Sequence, residues 1–376
     1  MKRGFRNILL VGSSSLFNDI GSEMITPVLP FYITGLGGGG IAIGLVSGLR
    51  EGLSSLFKIF GGWFSDRTGK RRAFIFLGYF VSVIFRFLLA IVNSWQHIIA
   101  LVSIERFGKL RDAPRDALIA ESTKKRGKGF GFHQMMDTAG GIIGIIIVIF
   151  LFWKLQLQLK TIIFVAAGIS VFSLLPLFFV KESKIKAIKK NLFKGIQKLD
   201  SNLKYFIFVA CVFTLGNFGL YMFLLLRVKE ITGNIIIPLI FYALFNFVYA
   251  FFVIPFGSLS DKIGRKKVLL AGYILFFIVS LGFIYSQNLF YILILFVLYG
   301  LVYSLTQSNQ RALVSDLCGE MKGTALGFYS SVVGGVSILG GVIAGFLWDI
   351  SYKSMFIYIS LIALISIILA FFIKEK

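Results

Sequence analysis

The sequence predicts an all-α integral membrane protein of twelve transmembrane helices in two pseudo-symmetric six-helix bundles. Three observations predict it. The 376-residue chain is 57% hydrophobic, with mean hydropathy +0.86 and 42 phenylalanines, whereas soluble domains sit nearer ~45–50% apolar. Apolar runs of about 20 residues recur throughout, the length that crosses ~30 Å of hydrocarbon at 1.5 Å per residue. The second half also repeats the first. GWFSDRTGKRR from Gly62 lies over GSLSDKIGRKK from Gly257 at an offset of 195, and DALIAE (116–121) lies over RALVSD (311–316) at the same offset. GKGFGF (127–132) faces KGTALGF (322–328) in the same order.

Spans are expected at 8–33, 41–63, 72–93, 97–120, 129–153, 160–180, 204–226, 235–257, 268–286, 289–312, 324–347 and 353–373. The first is too long for a secretory signal, carries acids, and precedes no small-residue cleavage site, so it reads as a retained helix. Its prolines Pro27 and Pro30 predict a kink, as does Pro114 in span 4. The polar segment KESKIKAIKKNLFKGIQKLDSNLK (181–204) separates six spans from six. It divides the chain into an N-terminal bundle (1–180), a basic linker (181–203) and a C-terminal bundle (204–376).

The formal charge of +22 is a matter of placement. Only Lys154, Lys160, Arg227, Lys229 and Lys353 fall on the side away from the termini, while most of the 39 lysines and arginines fall in the loops on the other side. That asymmetry predicts cytosolic N- and C-termini in a multi-pass protein of the cell (plasma or inner) membrane. Basic side chains at this face also meet anionic lipid head groups. Nucleic acid is not an expected partner. Cys211 and Cys318 form no disulfide framework or metal spacing, and no cofactor is expected.

The repeated loop carries a resemblance. Gly62, Asp66, Arg67, Gly69 and Arg71 match the signature loop of the major facilitator superfamily, with Lys70 at a position that is commonly arginine. A weaker second copy stands at Gly257, Asp261, Gly264 and Arg265. SEMITPVLP, RFGKLRDAPRDALIAE and HQMMDTAGG further resemble a prokaryotic branch of that superfamily, which often reads GKG-x-R where this chain has GKLR. The resemblance covers the whole chain and implies the twelve-helix fold of that superfamily and transport by alternating access. It implies that the two loops latch the cytosolic ends of the halves as a gate. The residues themselves agree with a structural device: the glycines permit tight turns, and Asp66 can accept from neighbouring donors.

Buried charge is the next signal. At 1.5 Å per residue, Asp19 lies roughly 20 Å and Glu23 roughly 15 Å from the outer end of span 1. On the same scale Arg106, Lys109 and Arg111 on span 4 lie at roughly 14, 18 and 21 Å. Arg50 and Glu51 on span 2 and Arg86 on span 3 lie at similar heights, and Asp137 is near the middle of span 5. Asp19 and Glu23, four residues apart, share a helix face. The heights predict Asp19 against Arg111, and Glu23 against Arg106, Lys109 or Arg50. Charges at such depth are costly and mark pathways or partners. Asp112, Arg115 and Asp116 lie nearer the cytosol, where the gate is the alternative place for them; Arg115 and Asp116 complete the expected coupling set. A carboxylate that loses its cationic neighbour takes up a proton, which makes a coupling switch. Asp19 is the first candidate carrier, then Glu23, then Asp137. A structural ion-pair cluster holding spans 1, 2 and 4 together is the alternative. His133, four residues before Asp137, is expected at a surface or interface, with a proton relay to Asp137 as the alternative.

The C-terminal spans offer neutral polar groups instead. Asn217, Asn246, Thr306, Gln307, Gln310 and Arg311, with Asn18 from span 1, are the expected substrate contacts. Gly131, Gly140 and Gly144 match half of a span-5 pattern found in exporters of the superfamily, but Ile145, Val148 and Ile149 depart from it. Close helix packing explains the same glycines. The expected function is therefore proton-coupled antiport of a small, partly apolar organic solute by a monomer. Proton-coupled uptake of a small, possibly anionic solute is the alternative, and an uncoupled lipid-moving or sensor protein is the alternative of another class. No nucleophile–base pairing, metal spacing or phosphate loop points to an enzyme.

Overall fold

A computed structural model describes residues 3–123, 126–182, 200–318 and 322–374. Most of the expected linker, 183–199, lies outside the described residues. Among those described, every regular element is helical, and nine segments are long and apolar enough to cross a membrane. The expected spans missing from that group are the first, second and fourth, which carry the charge. Span 1 is α1 (Arg3–Ile25) followed by α2 (Leu29–Gly35), and span 2 is α3 (Gly40–Thr68). After α4 (Arg71–Ile91), span 4 is divided into α5 (Trp95–Glu105), a 3₁₀ segment (Arg106–Arg111) and α6 (Asp112–Ser122).

Local chemistry explains both breaks. Pro27 has no N–H to continue α1, and Pro30 sits in the first turn of α2, where its missing donor costs nothing. In span 4, Pro114 cannot donate to the carbonyl of Leu110 and its ring crowds that carbonyl, so the preceding turn tightens. Gly61 of α3 then packs against the exposed carbonyl: a Cβ there would lie 2.0 Å from Leu110 O.

The chain forms two compact units, residues 1–37 with 53–191 and residues 38–52 with 192–376. In the first unit, α1 packs on α7 (Arg126–Trp153) and α8 (Leu159–Val171), and α4 packs on α8 and on the 3₁₀ segment. The α1–α7 seam needs glycine. A Cβ at Gly140 would lie 2.6 Å from Leu16 O, and one at Gly144 would lie 2.4 Å from Ile20 O, whereas Gly131 faces open space. Close packing therefore accounts for two of the three glycines that span 5 shares with exporters.

The second unit contains the first part of α3, α9 (Ser201–Gly216), α10 (Tyr221–Thr232), α11 (Ile236–Ile263), α12 (Arg265–Ile284), α13 (Leu289–Leu317), α14 (Lys322–Ile350) and α15 (Tyr352–Ala370). Here α13 packs on α11 and α12, while α9 packs on α14 and α15. Gly40, Gly44, Gly48 and Gly52 run at four-residue spacing along α3 and meet α14 backbone to backbone; a Cβ at Gly44 would lie 1.9 Å from Gly341 O. Asp349 near the end of α14 caps the start of α3, accepting from Gly40 N at 2.6 Å and Ile41 N at 3.1 Å. Both units leave large apolar side chains outermost, such as Phe164 and Phe172 in the first and Phe247, Phe251 and Phe346 in the second. Such side chains suit a lipid-facing surface.

Candidate functional site

In the first unit the charges converge on the 3₁₀ segment. Three residues per turn bring i and i+3 into line, so Arg106, Lys109 and Asp112 stand in a row that Arg115 extends. Asp112, buried, lies 3.8 Å from Lys109 Nζ, 3.6 Å from Arg115 Nη1 and 4.0 Å from Arg111 Nε. Arg111 turns into α4. Its Nη1 donates to Ser82 Oγ at 2.9 Å, to Gly108 O at 2.8 Å and to Gly78 O at 3.3 Å, and its guanidinium sits 4.4 Å from the Tyr79 ring centre. Gly78 makes this approach possible, since a Cβ there would lie 2.5 Å from Gly108 O.

Arg86 of α4 is a three-way strut. It donates to Asn18 O at 3.0 Å and Ser170 Oγ at 2.7 Å, and its Nη2 lies 3.6 Å from Glu105 Oε1. Glu105 also pairs with Arg106. Sequence heights alone pointed past Glu105, although an acid inside an apolar run immediately before Arg106 was a readable signal. Asp112 was expected with Arg115 and Asp116 toward the cytosolic gate, and here it is the carboxylate on which three bases converge.

Asp19, half-buried, accepts from Asn18 Nδ2 at 2.9 Å. Lys109, Arg111 and Asp137 are its charged neighbours in electrostatic range. None of the bases comes within ion-pair distance of it among the described residues, and the carboxylate that Arg111 pairs with is Asp112 rather than Asp19. The stems of Asp19 and Glu23 face α7, where Gly140 and Gly141 leave room for them. Asp137 is one turn from Gly141 and lies 3.3 Å from His133 Nδ1. His133 itself is buried. Arg115 bridges to α1 at Ser15 Oγ (3.4 Å) and pairs with Asp116 at 3.2 Å. Among the described residues, the buried polar atoms of this region without a hydrogen-bond partner include Asn18 Oδ1, Tyr79 Oη, Arg111 Nε, Asp112 Oδ1, His133 Nε2 and Asp137 Oδ1. Such atoms call for water or a moving proton. Arg50 and Glu51 fall with the second unit instead.

In the second unit, most of the expected substrate contacts are hydrogen-bonded within or between helices. Thr306 Oγ1 donates to Val302 O at 2.8 Å and Asn246 Nδ2 to Tyr242 O at 2.9 Å. Gln310 bridges Tyr273 Oη (3.0 Å) and Tyr329 Oη (2.9 Å). Asn217 accepts from Tyr299 Oη at 3.0 Å. Gln307 is half-buried and Arg311 is exposed. The tyrosines around these amides had no sequence signal to separate them from the other aromatic residues.

The two repeated loops fold alike. Gly69 and Gly264 adopt φ of +69° and +100°, a region that glycine enters without strain. Ser65 Oγ donates to Gly62 O and Ser260 Oγ to Gly257 O. In the first loop Arg71 lies between Asp66 (3.5 Å) and Glu121, while Arg67 stacks on Trp63 with 5.3 Å to the ring centre. In the second, Arg265 lies between Asp261 and Asp316 (3.2 Å). The acids keep the offset of 195, but the bridging arginine is displaced by one position.

Comparison with known proteins agrees with this architecture. The family model described as Major Facilitator Superfamily matches residues 11–241 and 235–376. An uncharacterised MFS-type transporter of Methanocaldococcus jannaschii is 46% identical over 378 residues, covering 98% of this chain and 95% of the relative. Multidrug resistance protein MdtH of Blochmanniella pennsylvanica is 25% identical over 380 residues, covering 94% of this chain and 89% of its own length. Among solved structures, the nucleoside transporter NupG superposes with a TM-score of 0.84 at 13% identity, over 98% of this chain and 100% of that one.

Proposed function

We propose the function from one premise: this chain belongs to the major facilitator superfamily. It is a multi-pass membrane transporter, a class without catalysis of its own. Within that class we read it as a proton-coupled antiporter that exports a small, partly apolar organic solute, as a monomer in the cell membrane with cytosolic termini. The observation that carries the reading is Asp19. Around it Arg111, Arg115 and Lys109 are engaged with Asp112, and Arg86 with Asn18, Ser170 and Glu105. Asp19 is held instead by one amide, from Asn18.

A carboxylate at that depth is sustained by nearby positive charge and becomes costly when that charge moves away. Alternating access changes its surroundings in each cycle, so proton uptake and release at Asp19 would couple to solute movement. Asp137 and His133 on α7 supply a second acid and a proton-accepting ring beside it. The resemblance to a multidrug resistance protein supports export. The Asp66–Arg71–Glu121 and Asp261–Arg265–Asp316 sets are read as the latches of the gate.

The test is internal pH in proteoliposomes of the full chain, recorded while amphipathic organic compounds are added outside under an imposed pH gradient. One compound class should move protons in the direction opposite to its own flux. Asp19→Asn should abolish that movement while keeping compound binding. Proton movement unaltered in Asp19→Asn would remove Asp19 as carrier, and no proton movement across the panel would overturn the coupling.

A further inference from the structure

Arg311 on α13 is an exposed charge whose side chain has no ion-pair or hydrogen-bond partner among the described residues. Asp316, five residues on, pairs with Arg265 instead, as does Asp261. The shared packing of the two halves does not call for this charge, because Asp116 holds the same register position in the first half with the opposite sign. Nor does Arg311 reach for the membrane surface. It lies ~9 Å from the end of α13, and Tyr249 lies ~21 Å from the end of α11, at 1.5 Å per residue. These helices, two spans apart, run in the same direction. Arg311 is nevertheless in electrostatic range of Tyr249, and of Tyr329 on α14. Its guanidinium therefore leans back along α13 toward the interior of the span, the way helical side chains tilt. A charge held there without a protein partner marks a pathway or a ligand.

The polar residues of this stretch of α13 fall into two sets. Thr306, Asn309 and Gln310 are buried and committed, to Val302 O, to Leu305 O and to the hydroxyls of Tyr273 and Tyr329. Tyr303, Gln307 and Arg311 recur every four residues along another face and are all half-buried or exposed. The Gln307 amide has no hydrogen-bond partner among the described residues, and Ser308 Oγ beside it is buried without one. From α11, half-buried Tyr249 completes the face. Ser304 Oγ donates to its carbonyl at 3.2 Å, its ring meets Tyr303 edge-on at 6.1 Å between centres, and its hydroxyl has no partner among the described residues. Glu51 comes into range of Tyr303, with Arg50 beside it in sequence, whereas the charge in range of Tyr249 is that of Arg311. Positive charge prevails at the Tyr249 end.

We propose that Arg311, Gln307, Ser308 and Tyr249, with the Tyr303 ring beside them, bind the carboxylate of an amphipathic aromatic acid. The assignment rests on the transporter reading above and gives the solute its class. A guanidinium offers parallel N–H donors that match the two oxygens of a carboxylate, which makes it selective for that group as well as for charge. The amide and the two hydroxyls add neutral donors on the same face, where the carboxylate would otherwise lose its water. The rings of Tyr249 and Tyr303 receive a flat apolar body edge-on or face-on. Under the antiport reading, a proton enters as the anion leaves. Both charges then move in the direction that an inside-negative membrane potential favours.

The experiment uses 2-naphthoate, its neutral amide 2-naphthamide and the cation 2-naphthylmethylammonium. Each is dialysed to equilibrium at neutral pH against the purified full chain, with protein-free micelles as the blank. Naphthoate should bind saturably and about tenfold more tightly than the other two. Arg311→Gln should remove that preference while leaving the Tm unchanged, since the side chain holds no partner among the described residues. Arg311→Lys should keep part of the preference, and Tyr249→Phe should weaken naphthoate binding about threefold. Equal binding of the three compounds, or naphthoate held by Arg311→Gln as tightly as by the parent, overturns the assignment. The coupling reading fails separately. Arg311-dependent naphthoate binding with no naphthoate-driven proton movement in proteoliposomes keeps the site and sinks proton coupling. Proton movement driven by the amide or the cation, with no naphthoate binding, does the reverse.

Discussion

Arg86 is the charge whose removal separates a structural role from a transport role most cleanly. It is 3% exposed and joins three helices, through Asn18 O on α1, Ser170 Oγ on α8 and Glu105 on α5. Inside membranes an interhelical hydrogen bond contributes about 0.6 kcal/mol on average and up to about 1.7. Two such bonds from a charged donor, plus an ion contact at 3.6 Å, come to about 2–4 kcal/mol. Glu105 retains Arg106 in the variant, so the larger penalty of a wholly stranded buried charge does not apply. At about 2–4 °C per kcal/mol for a unit of this size, Arg86→Met should lower the apparent Tm by about 5–15 °C. Arg86→Lys should fall between the two. Size-exclusion chromatography of detergent-solubilised protein after heating reads this directly. A Tm within about 2 °C of the parent, with transport lost, would refute the strut and make Arg86 part of the transport chemistry.

Gly144→Leu should abolish recovery of folded protein, because a Cβ there meets Ile20 O at 2.4 Å; Gly131→Leu, with open space around it, should express normally, and equal yields of both would refute the α1–α7 seam. Asp66→Asn and Arg265→Gln should each slow turnover several-fold. Their exposed ion pairs contribute no more than about 1 kcal/mol, so the Tm should stay within about 4 °C. Normal turnover in both would reduce the repeated loops to topology signals. Gln310→Leu should destabilise by about 1–3 kcal/mol by stranding the hydroxyls of Tyr273 and Tyr329. An unchanged Tm with altered compound preference would instead make Gln310 a substrate contact.

Span positions were legible because burial in lipid imposes one crude demand, length times hydropathy, that single residues rarely disturb. The breaks were half legible. Pro27, Pro30 and Pro114 announced them, but the 3₁₀ geometry of Arg106–Arg111 also depends on Gly61, Gly78 and Ser82, which are remote in sequence. Partner choice was the least legible. Heights along a helix follow from residue count, whereas facing depends on the turn angle. A 3₁₀ segment advances about 20° more per residue than an α-helix, from 3.0 against 3.6 residues per turn. Over the six residues of this segment the accumulated rotation is about 120°, enough to carry Arg111 from an expected Asp19 to Tyr79, Ser82 and Asp112. That rotation has a functional consequence. With Arg111 anchored in α4 and Asp112 shared among three bases, the positive charge of Arg106, Lys109, Arg111 and Arg115 is largely offset within its own span by Glu105, Asp112 and Asp116. Asp19 is then left close enough to feel Lys109 and Arg111, yet bound to neither. A carboxylate placed that way can change protonation without breaking an ion pair first.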